Sequence, residues 1–196
     1  MVIGVVGKSC SGKDEAVKYL VDAGFFEINV DKLGHEALNN NKDKLVDAFG
    51  QGIITEGKVD RKILGPIVFS DPEKLKTLNS ITHPWMCEET ERLTREHKNS
   101  VINAALLESM GLVRLCDEVL YVFAPLEQRL ERALKRDNIT REKFLDRNRN
   151  QKDIGLSLLE SGKRVITIIN DQDKEYLYRQ LSLYCDRLKN RGYING

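Results

Sequence analysis

The chain lacks a cysteine framework, because its four cysteines lie far apart and none belongs to a C-x-x-C pair. Widely spaced cysteines of this kind favour a reducing compartment, and they argue against both disulfides and a zinc site. The sequence also lacks an apolar run of transmembrane length and a signal peptide. From these absences we expect a cytoplasmic protein with no membrane partner.

An excess of charge of either sign is missing as well. Lys and Arg total 31 and Asp and Glu total 30, so the formal net charge is +1. Such a balance gives no general basic signal for nucleic acid, and we expect no nucleic-acid partner. With 196 residues and no internal repeat or long linker, the chain is long enough for one domain with a small inserted subdomain. We expect a monomer or a weak homo-oligomer.

Short apolar runs with few internal charges predict the strands of a parallel sheet, at 2–6, 26–30, 100–107, 118–123 and 164–169. Strands that are buried on both faces have this pattern. Helical patterns fill the gaps between the strands, at 12–22, 32–39, 42–48, 61–69, 84–98, 126–136, 141–150 and 173–190. The alternation of the two predicts an α/β doubly wound fold.

The stretch from about 32 to 98 contains no convincing strand, and it predicts a helical insertion between the second and third strands of the sheet. Asp60 is expected to cap the helix over 61–69. Ser70-Asp71-Pro72-Glu73 has the residue types of a helix start. His83-Pro84 is interpreted as a junction between two helices, with the proline fixing the entry of the second one.

A glycine-bounded loop, Gly7-Lys8-Ser9-Cys10-Ser11-Gly12-Lys13, joins the first predicted strand to the first predicted helix. The pattern G-x-x-x-x-G-K in this context is typical of a phosphate cradle. Backbone N–H groups point inward, the helix N-terminus adds partial positive charge, and the lysine reaches the outer phosphates. The alternative is an ordinary surface turn, which the flanking strand and helix make the poorer interpretation.

Asp14 stands where this motif usually has Ser or Thr, whose hydroxyl binds Mg²⁺. Two interpretations are open. Asp14 binds Mg²⁺ directly or through water, since a carboxylate is a hard oxygen ligand. Otherwise it only lies in the first helical turn, where the helix dipole favours it, and other groups hold the metal. We favour the first, because a carboxylate beside a triphosphate is repelled unless a cation lies between them.

Asp31 directly follows the second predicted strand, at the edge of the sheet where ligands of such folds bind. A carboxylate there can orient a substrate hydroxyl, accept its proton or bind Mg²⁺ through water. The alternative is that Asp31 caps a helix beginning at Lys32. His35 lies one helical turn further on and is a candidate for supporting the site. His83 either contacts substrate or makes only local contacts.

A basic cluster follows the fourth predicted strand, and its members are Arg129, Arg132, Lys135, Arg136, Arg141, Lys143, Arg147 and Arg149. The general interpretation of such a run is a solvated helix face. The polar turn Asp137-Asn138-Ile139-Thr140 inside it suits instead a mobile lid that delivers guanidinium groups to a phosphoryl transition state. We select Arg136 and Arg147 for this role and assign the other basic residues to the surface.

Taken in order, the motifs resemble those of bacterial dephospho-coenzyme A kinases over nearly the whole chain. The matching segments are Gly7–Lys13, Val30–Glu36, Gly57–Leu64 with Ile67–Phe69, His83-Pro84, Leu106-Leu107 with Gly111-Leu112, Arg136-Asp137 with Arg147 and Gln151, and Ile169-Asn170. Three positions depart from the family pattern. Asn29 stands where the family has an aspartate, Asp14 replaces the usual serine, and Glu108 matches the family's acid only after a shift of one position.

The resemblance implies a three-layer α/β/α P-loop NTPase fold with a mainly parallel, five-stranded sheet. Residues 1–196 would form one kinase domain, in which 32–98 is a helical insertion that binds the pantetheine-bearing substrate and about 136–152 is a short helical lid. ATP and dephospho-coenzyme A would be the substrates, with Mg²⁺ as cofactor and coenzyme A as product.

The resemblance also implies residue roles. Gly7 to Lys13 would bind the ATP phosphates, and Asp31 would activate the ribose 3′-hydroxyl of dephospho-coenzyme A. Lys13, Arg136 and Arg147 would complete the catalytic set. Two alternatives remain open: another P-loop kinase of small molecules, such as a nucleoside monophosphate kinase, or a nucleotide-binding regulator with weak catalysis.

Overall fold

The computed structural model describes residues 1–137, 139–151, 158 and 160–194. The main sheet consists of β1 Val2–Val6, β2 Phe26–Asn29, β5 Ser100–Asn103, β6 Glu118–Phe123 and β7 Arg164–Ile169. Two short strands, β3 Ile54–Thr55 and β4 Lys58–Val59, pair separately. The helices are α1 Lys13–Asp22, α2 Val30–Asn40, α3 Lys42–Phe49, α4 Arg61–Phe69, α5 Pro72–Glu96, α6 Leu126–Asp137, α7 Arg141–Asn150 and α8 Lys174–Asn190.

The strand order of the sheet is β2-β5-β1-β6-β7, and all neighbouring pairs run parallel. From β1 the chain passes through α1 towards β2 on one side, whereas from β6 it passes through α6 and α7 towards β7 on the other. Right-handed crossovers in opposite directions place these helices on opposite faces of the sheet. The predicted α/β doubly wound fold is therefore confirmed, and its topological switch point lies at β1.

The core around the main sheet forms where apolar residues of the sheet meet α1 and α8. Ile3 and Val5 of β1 and Leu20 of α1 are fully buried, together with Leu177 and Leu181 of α8. Burying one such side chain contributes about 1.5–3 kcal/mol. This packing fixes the carboxyl end of β1 and the amino end of α1, between which the glycine-bounded loop lies.

The chain divides into two compact units, of which the first is Met1–Asn29 with Leu93–Gly196 and the second is Val30–Arg92. The second unit is mostly helical and has its own apolar core, formed by Leu45, Ile53, Val59, Leu64 and Val68. Asp60 accepts a hydrogen bond from the backbone of Lys62 and caps α4, as predicted.

The expectation that 32–98 contains no strand is wrong. Ile54–Thr55 pairs with Lys58–Val59 in an antiparallel hairpin. Its two-residue turn, Glu56-Gly57, has positive φ at both positions, 50° and 78°. A turn with two left-handed residues matches the twist of a two-stranded hairpin, which explains why so short a pair forms.

Two predicted strands end earlier than expected. The run 26–30 stops at Asn29, because Val30 is already helical and buried at the start of α2. The run 100–107 stops at Asn103, the last residue of β5 that pairs with β1 and β2. Leu107 is fully buried in the turn that follows, so its apolar character reflects core packing and not strand pairing.

His83-Pro84 does not separate two helices. Both residues lie inside the 25-residue helix α5, which runs without interruption from Pro72 to Glu96. An internal proline removes one backbone hydrogen bond and costs about 3 kcal/mol in an isolated helix. Burial of Thr82, Met86 and Thr90 at four-residue intervals on one face of α5 stabilises the helix on both sides of this position.

None of the helices in the described part of the chain is long and apolar enough to cross a membrane. None of the four cysteines, all of which are described, forms a disulfide, and Cys116 and Cys185 are buried. Burial raises the pKa of the Cys116 thiol to about 12, so this side chain packs as a small apolar group at neutral pH.

Candidate functional site

The loop between β1 and α1 leaves the amino end of α1 open. Gly12 is the N-cap residue of α1, with φ 97° and ψ 17°, and it supplies no side-chain cap. Within the loop, the backbone N–H of Ser11 donates to Lys8 O at 2.9 Å. The helix N-terminus therefore presents uncapped N–H groups and partial positive charge, which are the requirements of an anion site.

Close packing around the loop requires glycine at both of its ends. A Cβ at Gly7 would overlap Ser11 Oγ and would lie 2.8 Å from Val122 O. A Cβ at Gly12 would overlap the side-chain amide of Asn170, which donates to Ser11 O at 2.7 Å. Ser11 Oγ is itself buried and is hydrogen-bonded to none of the described residues. The loop is thus held in one shape around an interior polar group.

Lys13 is held by side chains on both sides. Its ammonium group donates to Oδ1 of Asn103, at the end of β5, and lies 3.3 Å from Oδ1 of Asp14. The Lys13 side chain is only 15% exposed, whereas that of Asp14 is 75% exposed. The lysine is therefore fixed beside the loop, while the carboxylate next to it faces solvent.

Arginines of α6 and α7 converge on the same loop. Arg129 donates to Ser9 O at 3.4 Å, and Arg132 donates to Cys10 O at 3.4 Å. Arg136 lies 3.5 Å from Cys10 Sγ, and Arg147 lies 3.4 Å from Ser9 Oγ. The structure thus brings both selected arginines, Arg136 and Arg147, next to the loop Gly7–Lys13.

The assignment of Arg129 and Arg132 to the surface is wrong. Arg129 is 6% exposed, donates to Ala124 O at 3.0 Å and contacts Asn148 Oδ1 at 2.9 Å. Burial lowers the pKa of its guanidinium, although a guanidinium keeps its charge in proteins. Arg129, Arg132 and Arg136 follow one another at helical spacing on α6, which was the signal in the sequence that could have identified them.

Asp137 joins the two arginines that lie nearest the mouth of the loop. Its carboxylate accepts from Arg136 Nε at 2.7 Å and from Arg147 at 3.0 Å. The hydrogen bond with Arg136 lowers the pKa of Asp137 and raises that of Arg136. One carboxylate therefore holds both guanidinium groups beside the loop.

Gln151 and Asn170 are two further contacts whose roles the sequence did not assign. The Gln151 side chain accepts from the backbone N–H of Ser9 at 2.7 Å. The Asn170 side chain anchors Ser11, and the backbone carbonyl of Asn170 accepts from Arg132 at 3.1 Å.

Two residues of the predicted lid, Asn138 and Lys152, lie outside the described residues.

Asp31, His35 and His83 belong to the second compact unit, Val30–Arg92. Asp31 is the second residue of α2, so it is not the N-cap of a helix that begins at Lys32. His35 follows one turn later on the same helix, and both side chains are exposed. His83 is half-buried on α5, and burial lowers its pKa.

A metal ion would find one hard ligand at the loop. Asp14 offers an exposed carboxylate beside Lys13, and Mg²⁺ in phosphate sites is bound by one or two carboxylates, the phosphates and water. The described residues contain no group of three or more His, Cys, Asp or Glu side chains that could hold a metal alone. The donor set fits a magnesium ion that arrives with a phosphate ligand.

Comparisons with known proteins agree with this geometry. The family model described as dephospho-CoA kinase matches residues 1–170. A dephospho-CoA kinase from Borreliella burgdorferi is 34% identical, and the match covers 100% of this chain and 95% of the relative. A crystal structure from Thermus thermophilus is 30% identical with a TM-score of 0.77, and the match covers 96% of this chain and 97% of that one.

A dephospho-CoA kinase from Campylobacter jejuni also has this fold, with a TM-score of 0.68 and 27% identity over 98% of both chains. The family model extends from β1 to the end of β7, and the match with the Borreliella burgdorferi relative covers the whole chain. Members of the family are transferases that phosphorylate an alcohol group. The chain belongs to the dephospho-CoA kinase family.

Proposed function

We propose that this chain transfers the γ-phosphoryl group of ATP to the ribose 3′-hydroxyl of dephospho-coenzyme A. The observation that carries the proposal is the convergence of Lys13 and the arginines of α6 and α7 on the uncapped amino end of α1. Such a concentration of positive charge around open N–H groups suits a polyphosphate. Family membership supports dephospho-coenzyme A as the acceptor.

The loop Gly7–Lys13 would bind the phosphates of ATP, with Lys13 on the outer ones. Arg136 and Arg147 already lie next to Ser9 and Cys10 of this loop. We assign them to the charge that develops on the transferring phosphoryl group, where a well-placed arginine contributes about 10³- to 10⁵-fold in rate. Binding of ATP would therefore exchange the contacts of both arginines with Asp137 for contacts with phosphate oxygens.

Asp31 would act as the general base. The 3′-oxygen of the acceptor forms a bond to the γ-phosphorus, the bond from that phosphorus to the β,γ-bridging oxygen breaks, and ADP leaves. The hydroxyl proton passes to the Asp31 carboxylate. The exposed position of Asp31 in the first turn of α2 supports this role, because an accessible carboxylate can meet an incoming alcohol. His35 and His83 are proposed to contact the acceptor.

Asp14 is the residue that would hold Mg²⁺, directly or through water. The ion would neutralise charge between the β- and γ-phosphates when it is bound. Asp14 now pairs with Lys13 at 3.3 Å. The nucleotide would therefore separate this pair, taking the lysine to its phosphates and leaving the carboxylate to the metal.

The test is a comparison of acceptors. The purified protein is incubated with ATP, Mg²⁺ and one of dephospho-coenzyme A, a set of nucleoside monophosphates or shikimate, and formation of ADP and of the phosphorylated acceptor is followed by chromatography. We expect transfer to dephospho-coenzyme A well above all other acceptors. Transfer at the background rate with this acceptor would reject the proposal, and preferred transfer to another acceptor would identify a different kinase of the same fold.

A nucleotide-binding regulator is the second candidate, and the ion pair between Asp14 and Lys13 is the observation that favours it. A lysine that stays bound to its neighbour would bind phosphate without stabilising the transition state. In that case ATP binds while turnover is undetectable, and Asp14→Ser restores transfer. Turnover by the unchanged protein would exclude this candidate.

A further inference from the structure

A glutamate outside all assigned motifs lies at the end of the contacts that hold Lys13. Glu27 is on β2, and its Oε1 accepts from Asn103 Nδ2 at 2.9 Å and from Asn29 Nδ2 at 3.1 Å. Asn103 in turn accepts from the Lys13 ammonium through Oδ1. The side chains therefore form a continuous chain from the lysine of the loop to a carboxylate two strands away.

The strand geometry explains why these groups meet. Glu27 and Asn29 are two residues apart on β2, so their side chains lie on the same face of the sheet. Asn29 pairs in register with Asn103 of β5, which brings Asn103 within a diagonal cross-strand contact of Glu27. Lys13 enters from the amino end of α1, beside the carboxyl ends of both strands.

The chemistry of the three groups allows only one direction of hydrogen bonding. A lysine ammonium only donates and an ionised carboxylate only accepts, whereas a side-chain amide does both. Because the NH₂ group of Asn103 donates to Glu27, the side-chain oxygen of Asn103 must point towards Lys13. Asn103 is 4% exposed. If its amide were turned round, its NH₂ group would face the Lys13 ammonium, and two donors would meet without an acceptor in a buried place, which is destabilising.

From this arrangement we propose that Glu27 is a positioning residue for the reaction, which orients Asn103 so that Asn103 holds Lys13 at the phosphate loop. The proposal rests on the proposed function, since it concerns the lysine that would contact the outer phosphates of ATP. Glu27 itself touches neither the loop nor any reacting atom. Its carboxylate lies next to Asn29, the position where the family pattern has an aspartate, and it supplies there the negative charge that Asn29 lacks.

The test exchanges acceptor and donor along the chain of contacts. Glu27→Gln keeps the size of the side chain but can also donate, so Asn103 loses the group that fixes its orientation. Asn103→Asp alone places two carboxylates against each other. In the double variant Glu27→Gln/Asn103→Asp, the carboxylate at position 103 accepts from Lys13 and from the new amide at position 27. Both contacts of position 103 therefore again join a donor with an acceptor, while Asn29 must turn its amide oxygen towards position 27. Glu131→Gln, at an exposed position of α6, is the matched control.

The readout is the affinity for ATP and for AMP, measured by calorimetry without any acceptor, together with the melting temperature. Each single variant should bind ATP about tenfold more weakly, a size typical of coupling inside a hydrogen-bond network. AMP should bind with unchanged affinity, because it lacks the outer phosphates that Lys13 reaches. The double variant should bind ATP more tightly than either single variant, and Glu131→Gln should bind it as the unchanged protein does.

Three results would overturn the proposal. These are an unchanged ATP affinity of Glu27→Gln, losses in the double variant that equal the sum of the two single losses, and an equal weakening of ATP and AMP binding that follows the melting temperature. The last result would mean that Glu27 only stabilises the sheet. Because calorimetry needs no acceptor, a failure to phosphorylate dephospho-coenzyme A would reject the proposed function and leave this measurement readable.

Discussion

Replacing Gly12 by alanine changes the one loop position where both the backbone conformation and the space exclude a side chain. Gly12 has φ 97°, and a Cβ there would overlap the side-chain amide of Asn170. That amide donates to Ser11 O at 2.7 Å. Gly24, at the end of α1, has nearly the same φ, 99°, but an added Cβ would meet nothing within 4 Å. Gly24→Ala is therefore a control for backbone strain alone.

The expected size of the effect follows from these contacts. A residue with a Cβ in a left-handed conformation costs about 1–2 kcal/mol, and loss of the Asn170 hydrogen bond costs about 1 kcal/mol more. If the loop escapes this strain by leaving its phosphate-binding shape, the total of about 2–3 kcal/mol corresponds to about 30- to 150-fold weaker binding of ATP. Gly24→Ala should lose stability by the backbone cost only and should bind ATP normally.

The assay is calorimetric titration with ATP, alongside thermal unfolding of the unchanged protein and both variants. In a protein of this size, 1 kcal/mol shifts the melting temperature by about 2–4 °C, so both variants should melt several degrees lower. Only Gly12→Ala should also lose ATP affinity. If the two variants bind ATP equally well, the contact between Gly12 and Asn170 does not shape the binding site and the reasoning fails.

Four further predictions concern the assigned side chains. Lys13→Ala should lose most turnover with the acceptor, whereas Lys18→Ala, at an exposed position of α1, should not; equal rates in steady-state assays would contradict the assigned cradle. Asp31→Asn should bind ATP normally and lose about 10²-fold or more in turnover, and a change of a few-fold would remove Asp31 from the catalytic set. Arg147→Ala should lower kcat more than it raises the KM for ATP, and the reverse would assign Arg147 to ground-state binding. Burial lowers the pKa of His83 from its ordinary 6.5, so unfolding takes up a proton and stability falls as pH drops below about 7; His83→Gln should flatten this fall in thermal unfolding, and an unchanged slope would contradict it.

The central strands could be predicted from the sequence because β1, β5 and β6 are largely buried on both faces, and the edge strand β7 could be predicted from its apolar run. The runs 2–6, 118–123 and 164–169 match β1, β6 and β7 at both ends. The run 100–107 was too long because buried Leu107 continues the apolar pattern into a turn. An apolar pattern in the sequence indicates which residues are buried. Where a strand ends depends on how far its neighbouring strands continue to hydrogen-bond with it, and the pattern does not show this.

The course of the chain within the stretch 32–98 was harder to predict, both at Pro84 and at the hairpin of β3 and β4. Pro84 has the local signature of a helix start, yet tertiary packing of α5 carries the helix through it. The hairpin of β3 and β4 is only two residues long on each side, too short for an alternating pattern. Its signal was the turn Glu56-Gly57, in which a single glycine marks the left-handed conformation.

At the candidate site, the loop and its lysine could be predicted because a single contiguous motif contains them. The contacts of Arg129, Arg132 and Asn170 with the loop come from distant parts of the chain. Charge alone does not separate a buried arginine from a solvated one. The helical spacing that Arg129 and Arg132 share with Arg136 was the signal in the sequence that links them to the loop, and a search for charge alone misses it. Glu27 carries no motif at all, and only the register of β2 with β5 reveals its contact with Asn103.

The most direct measurement is a crystal structure with a non-hydrolysable ATP analogue, Mg²⁺ and dephospho-coenzyme A. We expect phosphate density inside the loop Gly7–Lys13, with Lys13 turned from Asp14 to the outer phosphates. We also expect the Asp31 carboxylate about 3 Å from the acceptor's 3′-hydroxyl. An empty loop, or an Asp31 side chain that faces away from the acceptor in the ternary complex, would contradict the proposed function.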